Sequence, residues 1–217
     1  MDEIANQVYI IGRILPAGIQ QLGSAFQVSA DGRFATANHV IGSNPHGLVL
    51  VVPKINNMKD YQDTSDKEAP YVHLIVEEVD PTKDLAIVRT QGYSPSADNL
   101  PSIGSIDDLH IGEELMIFGF PHCPDGRKVL TYQSSTLGAK VLLESETLKT
   151  KHAVLNFQSR PGQSGSMVIS KRLGTIVGLL IGAYIPPGGS IGIMGINPAA
   201  LNQTTHIISA HYLMDML

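Results

Sequence analysis

The sequence predicts an all-β chain: two packed antiparallel β-barrels with a short C-terminal helix. Three observations point there. Short runs of β-branched and apolar residues, bounded by Gly, Pro, Asn, Asp or Ser, recur along most of the 217 residues. The 21 glycines and 13 prolines are spread along the chain, as many turns between short strands require. Helical periodicity is absent until residue 206.

In chain order, strand-like segments fall at 7–13 (QVYIIGR), 24–29, 33–37 (RFATA), 47–52 (GLVLVV), 71–79 and 85–90 (LAIVRT). SADG at 29–32 signals a hairpin between the second and third. Residues 61–70 form a polar loop, and 90–105 (TQGYSPSADNLPSIGS) look like a linker. Beyond it come 114–120 (ELMIFGF), 152–157, 167–170 (MVIS), 175–182 (TIVGLLIG) and 191–196, with KRLG at 171–174 as a second hairpin turn. At 206–217, Ile207, Ala210, Met214 and Leu217 recur at spacings of three and four, which reads as a helix laying an apolar stripe on the β body. The division expected is therefore a barrel over 1–95, a second over 96–205, and the helix. No repeat period is visible between the halves.

Composition narrows the function. Hydrophobic residues make up 43% and charged residues 16%, which excludes a disordered tail protein. A net charge of −5 argues against a nucleic-acid binder, which would carry a basic face. Cys123 is the single cysteine, so no intramolecular disulfide forms. The start, MDEIANQVYIIGR, carries acids where a secretory leader carries positive charge, and the longest mostly apolar run, at 176–185, is too short to span a bilayer. A cytoplasmic protein without membrane contact is the expectation, unless a leader has been trimmed.

Three stretches carry chemistry. His39 ends a strand in ATANHVIG, Asp84 opens one in DPTKDLAIVR, and Ser164 sits in the glycine turn RPGQSGSMV. Taken singly, each has an ordinary reading: a polar residue bonded to backbone, a strand-start cap, a plain turn. Together they follow the order His, Asp, Ser, one of the known orders of the serine-hydrolase triad. The first two fall in the first expected barrel and the serine in the second, so a cleft between barrels would hold them.

With these motifs the chain resembles the trypsin-like (chymotrypsin-fold) serine peptidases, and most of all the protease domain of HtrA/Deg-type proteins. SADGRFATANHVIG is similar to that group's hairpin before the catalytic His, and VDPTKDLAIVR to its Asp strand. IGEELMIFGFP (111–121) resembles the opening strand of its second barrel, and GQSGSM its nucleophile loop. GTIVGLLIGAY and GSIGIMGIN resemble the late strands beside the specificity pocket. The resemblance implies a serine endopeptidase acting through a covalent acyl-enzyme. In it Ser164 is the nucleophile, His39 the base and then acid, and Asp84 the buried orienter of the imidazole. The backbone N–H groups of Gly162 and Ser164 would form the oxyanion hole, with Gly162 free of a Cβ and Gly165 letting the chain pass closely behind the nucleophile. By position, Gln158 would lie near the base of the substrate pocket and Leu180, Ile181, Gly182 and Ala183 along its walls. No acid or His there suits a charged side chain, so a medium-sized apolar residue before the cut is expected.

Two features depart from the family. Gln163 stands where digestive members carry an Asp that pairs with a newly cut N-terminus, so zymogen cleavage of that kind is not expected. The polar segment 121–151 is instead expected to govern how well the oxyanion hole forms, ordered by substrate, an activating protein partner or an oligomer contact. Second, HtrA-type proteins usually carry PDZ modules after the protease body, and 198–217 leaves room only for the helix. No cofactor is implied. PHCPD (121–125) is a poor zinc pattern, Cys123 lacks a nucleophile motif, and PPGGSIGIMG lacks the context of a phosphate loop. Against the peptidase stands a catalytically silent barrel pair serving as a protein-binding or chaperone-like factor; a narrower variant of the peptidase is a regulated or processing protease with one partner as substrate.

Overall fold

The computed structural model describes residues 2–55, 57–93, 95, 99–145, 148–184 and 204–217. A short helix, α1 (Asp2–Ala5), leads into β1 (Val8–Leu15), β2 (Gly18–Gln27) and β3 (Arg33–Ala37). A single helical turn, α2 (Asn38–Ile41), comes next, and then β4 (Leu48–Val51), β5 (Tyr71–Asp80) and β6 (Leu85–Thr90). The second set comprises β7 (Glu114–Gly119), β8 (Thr131–Ser145), β9 (Leu148–Leu155), β10 (Met167–Ser170), β11 (Ile176–Tyr184) and β12 (Thr204–Ser209). Each set closes on itself, in the order β1-β2-β3-β6-β5-β4 and β10-β11-β12-β9-β8-β7. Traced from its first strand, the second barrel runs β7-β8-β9-β12-β11-β10, the same topology as the first. The repeat that the sequence does not display is thus present in strand order.

The interior explains why late strands read as continuous apolar runs. Val168, Val177, Leu180 and Ile207 fill the second barrel. Their neighbours Met167, Ile169, Ile176, Leu179 and Ile208 face the other way, into a core continuous with the first barrel's Phe26, Phe34 and Leu50. A strand buried on both faces carries no polar alternation.

Two elements differ from expectation. Residues 204–209 (TTHIIS) form β12, pairing with β9 and β11, so the terminal helix does not begin at 206. The chain ends instead in a 3-10 helix, Ala210–Met216. Its buried residues are Ala210, Leu213 and Met216, a spacing of three that matches its tighter turn, while Met214 and Leu217 of the expected stripe are exposed. Within the polar segment 121–151, the long hairpin β8–β9 runs from Thr131 with Leu137 pairing Leu155 and Ser145 pairing Leu148. The strand expected at 191–196 lies outside the described residues.

Candidate active site at the barrel seam

His39 enters through α2, directly after β3, and Asp84 stands just before β6, the strand hydrogen-bonded to β3. The pairing of Ala37 with Leu85 therefore sets them side by side. Both carboxylate oxygens of Asp84 act on His39. Oδ1 accepts the backbone N–H of His39 at 2.8 Å, and Oδ2 lies 2.6 Å from ring Nδ1. A carboxylate only accepts, so Nδ1 carries the proton and the Nε2 lone pair is left for the cleft. Asp84 holds φ at +56°, strained for a non-glycine residue, and the N–H of Asn38 locks it by donating to its carbonyl at 3.0 Å. Its side chain is 26% exposed, so Asp84 is screened rather than buried as expected.

The loop carrying Ser164 can be accounted for peptide by peptide. Gln163 N–H donates to the Arg160 carbonyl at 3.1 Å, closing a turn with Pro161 second and Gly162 third. Gly162 has φ +90°, the type II form that proline followed by glycine favours. Turn type matters because types I and II differ by a flip of the central peptide, here Pro161–Gly162. The Pro161 carbonyl accepts the N–H of His122 at 2.6 Å. In a trans peptide the N–H points opposite to the carbonyl, so the Gly162 N–H is aimed away from His122. The Gln163 carbonyl accepts from Ser166 N–H at 2.9 Å, which sets the Ser164 N–H in the same manner. Gly165 N–H goes to the Leu180 carbonyl at 2.7 Å, and Leu180 N–H to the Ser166 carbonyl at 3.0 Å. Among the described residues, only Gly162 and Ser164 in this loop, besides proline, have N–H groups left without an acceptor.

Ser24, on β2 of the first barrel, holds the loop from behind. Its hydroxyl donates to the Gly162 carbonyl at 2.8 Å and accepts Phe120 N–H at 3.0 Å. Its own N–H donates to the Ser164 carbonyl at 2.8 Å, and its carbonyl accepts the Thr36 hydroxyl at 2.7 Å. The approach is so close that a Cβ on Gly165 would lie 1.9 Å from the Ser24 carbonyl oxygen. Ser24 had no signal in the sequence, because what makes it important lies far along the chain.

A trypsin-like peptidase domain model matches residues 23–179. The chain belongs to the trypsin-like peptidase family. DegP-like periplasmic serine endoproteases of Ectopseudomonas mendocina (strain ymp) and Pseudomonas fulva (strain 12-X) are each 26% identical over 180 residues, covering 80% of this chain and 32% of theirs. The chain thus spans about a third of the length of these curated relatives. The MamO protease domain from Magnetospirillum magneticum superposes with a TM-score of 0.70 at 14% identity, covering 99% of this chain and 97% of that one. The HtrA-type protease AlgW with a decapeptide gives 0.68 at 15%, covering 98% and 63%. These structural likenesses are of fold. The relatives are named as periplasmic, so the cytoplasmic location expected from the N-terminal residues finds no support in them. Among the described residues no helix is long and apolar enough to cross a membrane.

In this peptidase-family chain the Ser164 hydroxyl donates to the Ile181 carbonyl at 2.9 Å. A cavity of about 360 Å³ opens beside the centre, with Asp84, Leu143, His152, Ile181, Gly182 and His206 among its walls. Of the residues expected along the pocket walls, Ile181 and Gly182 line this cavity. Leu180 instead points into the second barrel's interior, Gln158 stands exposed on the loop before Ser159, and the side chain of Ala183 lies outside the described residues. Burial pushes the Cys123 thiol up to about 12, so it is no rival nucleophile. Among the described residues, no three His, Cys, Asp or Glu side chains gather as a metal would need.

Proposed function

We propose that this chain is the protease body of a serine endopeptidase, with Ser164, His39 and Asp84 as its triad. As the Ser164 oxygen bonds to the substrate carbonyl carbon, its proton passes to His39 Nε2. The carbonyl oxygen, now negative, accepts the N–H groups of Gly162 and Ser164, each worth about 3 to 4 kcal/mol to the transition state in comparable enzymes. Asp84 holds the imidazolium. The tetrahedral species collapses, the amine leaves with the proton from His39, and an acyl-serine remains. Water, deprotonated by His39, then releases the acid. No cofactor enters. One observation carries the reading: among the described residues, the N–H groups of Ser164 itself and of Gly162 are both left without an acceptor, in a loop whose other non-proline N–H groups are all held.

On this reading substrates are proteins or peptides, and the apolar walls of Ile181 and Leu143 favour an apolar side chain near the cut. Gly182, with Ala183 next along the chain, extends the proposed pocket. We further infer a regulated or processing role, with segment 121–151 as the lever on the hole: His122 from that segment holds the Pro161 carbonyl. Substrate, an activating partner or an oligomer contact would act there. The resting bond from Ser164 to Ile181 favours the second reading, a silent binding module. Incubating an unfolded protein mixture with the parent and with Ser164→Ala, and sequencing new termini by mass spectrometry, separates them. New termini from the parent alone support the peptidase; identical digests from both overturn it.

A further inference from the structure

Gln163 lies between the two residues whose amides remain free, and its side chain is fully buried. A buried primary amide must place both its oxygen and its nitrogen, or lose the hydrogen bonds that water would supply. Arg160 N–H lies 2.6 Å from Oε1, and a backbone N–H only donates, so that atom of Gln163 is the oxygen. The NH2 group therefore faces the other way, where it meets Gln133 Oε1 at 2.8 Å. That forces the facing atom of Gln133 to be an oxygen as well. The orientation of both amides is thus set by one backbone donor.

The consequence is mechanical. Gln163 N–H and Oε1 close a ring on the Arg160 carbonyl and N–H, so the turn and the side chain move as one piece. The next peptide after Gln163 carries the Ser164 N–H. Gln133, on β8, anchors that piece to the second barrel's wall, as Ser24 anchors it to the first barrel. It sits in register opposite Ile117 on β7, a strand that is itself paired to β10 beyond the nucleophile.

We propose that Gln133 is a positioning residue: with Gln163 it forms an uncharged latch that fixes the Ser164 N–H in the oxyanion hole. The inference rests on the peptidase reading for its chemical consequence and on geometry alone for the latch itself. Because neither partner ionises, the latch is indifferent to salt and to pH across the neutral range, and it needs no newly cut N-terminus.

Three substitutions test direction as well as contact. Gln133→Glu keeps an oxygen toward Gln163, Gln133→Met keeps the bulk without an acceptor, and Gln133→Lys presents a donor to a donor. Two readouts are taken on each: steady-state hydrolysis of a small p-nitrophenyl ester, and hydrogen exchange of the Ser166 N–H, which bonds the Gln163 carbonyl. Gln133→Glu should hydrolyse within about twofold of the parent. Gln133→Met and Gln133→Lys should lose about 10- to 100-fold in kcat with KM unchanged, since only the transition state uses the hole. Their Ser166 N–H should exchange at least about tenfold faster, with amides of the first barrel unmoved. Parent-like exchange in folded Gln133→Met and Gln133→Lys overturns the latch, whether or not the parent is active. Faster exchange with parent kcat overturns its catalytic role and leaves Gln133 a purely structural contact. Should the parent itself prove inactive, the peptidase reading fails and exchange alone decides the latch.

Discussion

Asp84 commits a strained backbone and both of its oxygens to one histidine, which fixes how the imidazole is protonated. Asp84→Asn offers an NH2 group where Nδ1–H needs an acceptor, so the opposite tautomer is favoured and Nε2 has no lone pair left to take the Ser164 proton. Peptide or ester hydrolysis should fall by about 10⁴-fold with the melting temperature little changed; retention of more than a tenth of the activity would remove Asp84 from the mechanism. Gly162 makes a second residue-scale case. A Cβ there would meet the Phe120 carbonyl at 2.6 Å and Cys123 Sγ at 2.8 Å, at a φ that side chains disfavour. Gly162→Ala should push the turn toward the other peptide orientation, lose about 10²- to 10³-fold in kcat and leave KM nearly unchanged. Kinetics on a small ester measures both. At this scale His39, Asp84, Ser164 and the Pro-Gly turn are legible in the sequence, since each sits in a local pattern. Ser24, His122 and Gln133 are not, because a hydroxyl, a backbone N–H and an amide acquire their roles only from partners tens of residues away.

At the scale of elements, the strands that face two cores announce themselves, whereas β8 does not. Its outer face is solvated, and among its inward residues Ser135 is buried beside Leu137, so the apolar alternation that marks a half-buried strand is faint. The terminal segment misleads for a different reason. A stripe at three and four suits an α-helix, yet β-branched Thr204, Thr205, Ile207 and Ile208 pair as β12, and the remaining turn winds at a period of three. His152 on β9 gives this scale its own prediction. It is 5% exposed, with Nε2 2.9 Å from the Thr150 hydroxyl. Burial, with a lesser push from neighbouring His206, lowers its pKa to about 4. The unfolded chain binds a proton here near pH 6.5, and the folded chain does so only near 4. Stability from this group is therefore complete above about pH 6.5 and is lost as the pH falls toward 4, by on the order of 2 to 3 kcal/mol. Urea unfolding at pH 7 and pH 4.5 should show a smaller loss for His152→Gln than for the parent; equal losses would mean that His152 is accessible in the folded chain.

Across the whole molecule, two barrels of one topology meet so that neither owns the site. The first supplies His39, Asp84 and the supporting Ser24; the second supplies Ser164 and the amides. The apolar core runs through the seam, from Phe26 and Phe34 to Met167 and Leu179, and Ser24 is the polar bolt within it. Removing that single oxygen leaves the Phe120 N–H without a partner and the Gly162 carbonyl with only the weak Cys123 thiol donor at 3.9 Å. Ser24→Ala should cost about 1 to 3 kcal/mol in denaturant unfolding and lower kcat about tenfold or more through the displaced loop. A loss of stability with unaltered kcat would show that the seam holds the fold without setting the hole. The two-barrel architecture is readable from the sequence, as is the placing of His39 and Asp84 in one barrel and Ser164 in the other. The closeness of the seam is not, for it depends on Gly165 lying against a carbonyl of the other barrel.

Ser164 is proposed as an activated nucleophile beside a formed oxyanion hole. Fluorophosphonate labelling, with the adduct mapped by mass spectrometry, asks that question without knowledge of the substrate. The parent should carry one adduct, on Ser164, with none on Ser164→Ala and at least a hundredfold slower labelling of His39→Ala. A folded parent that stays unlabelled, or is labelled elsewhere, would contradict the assignment of Ser164 as nucleophile.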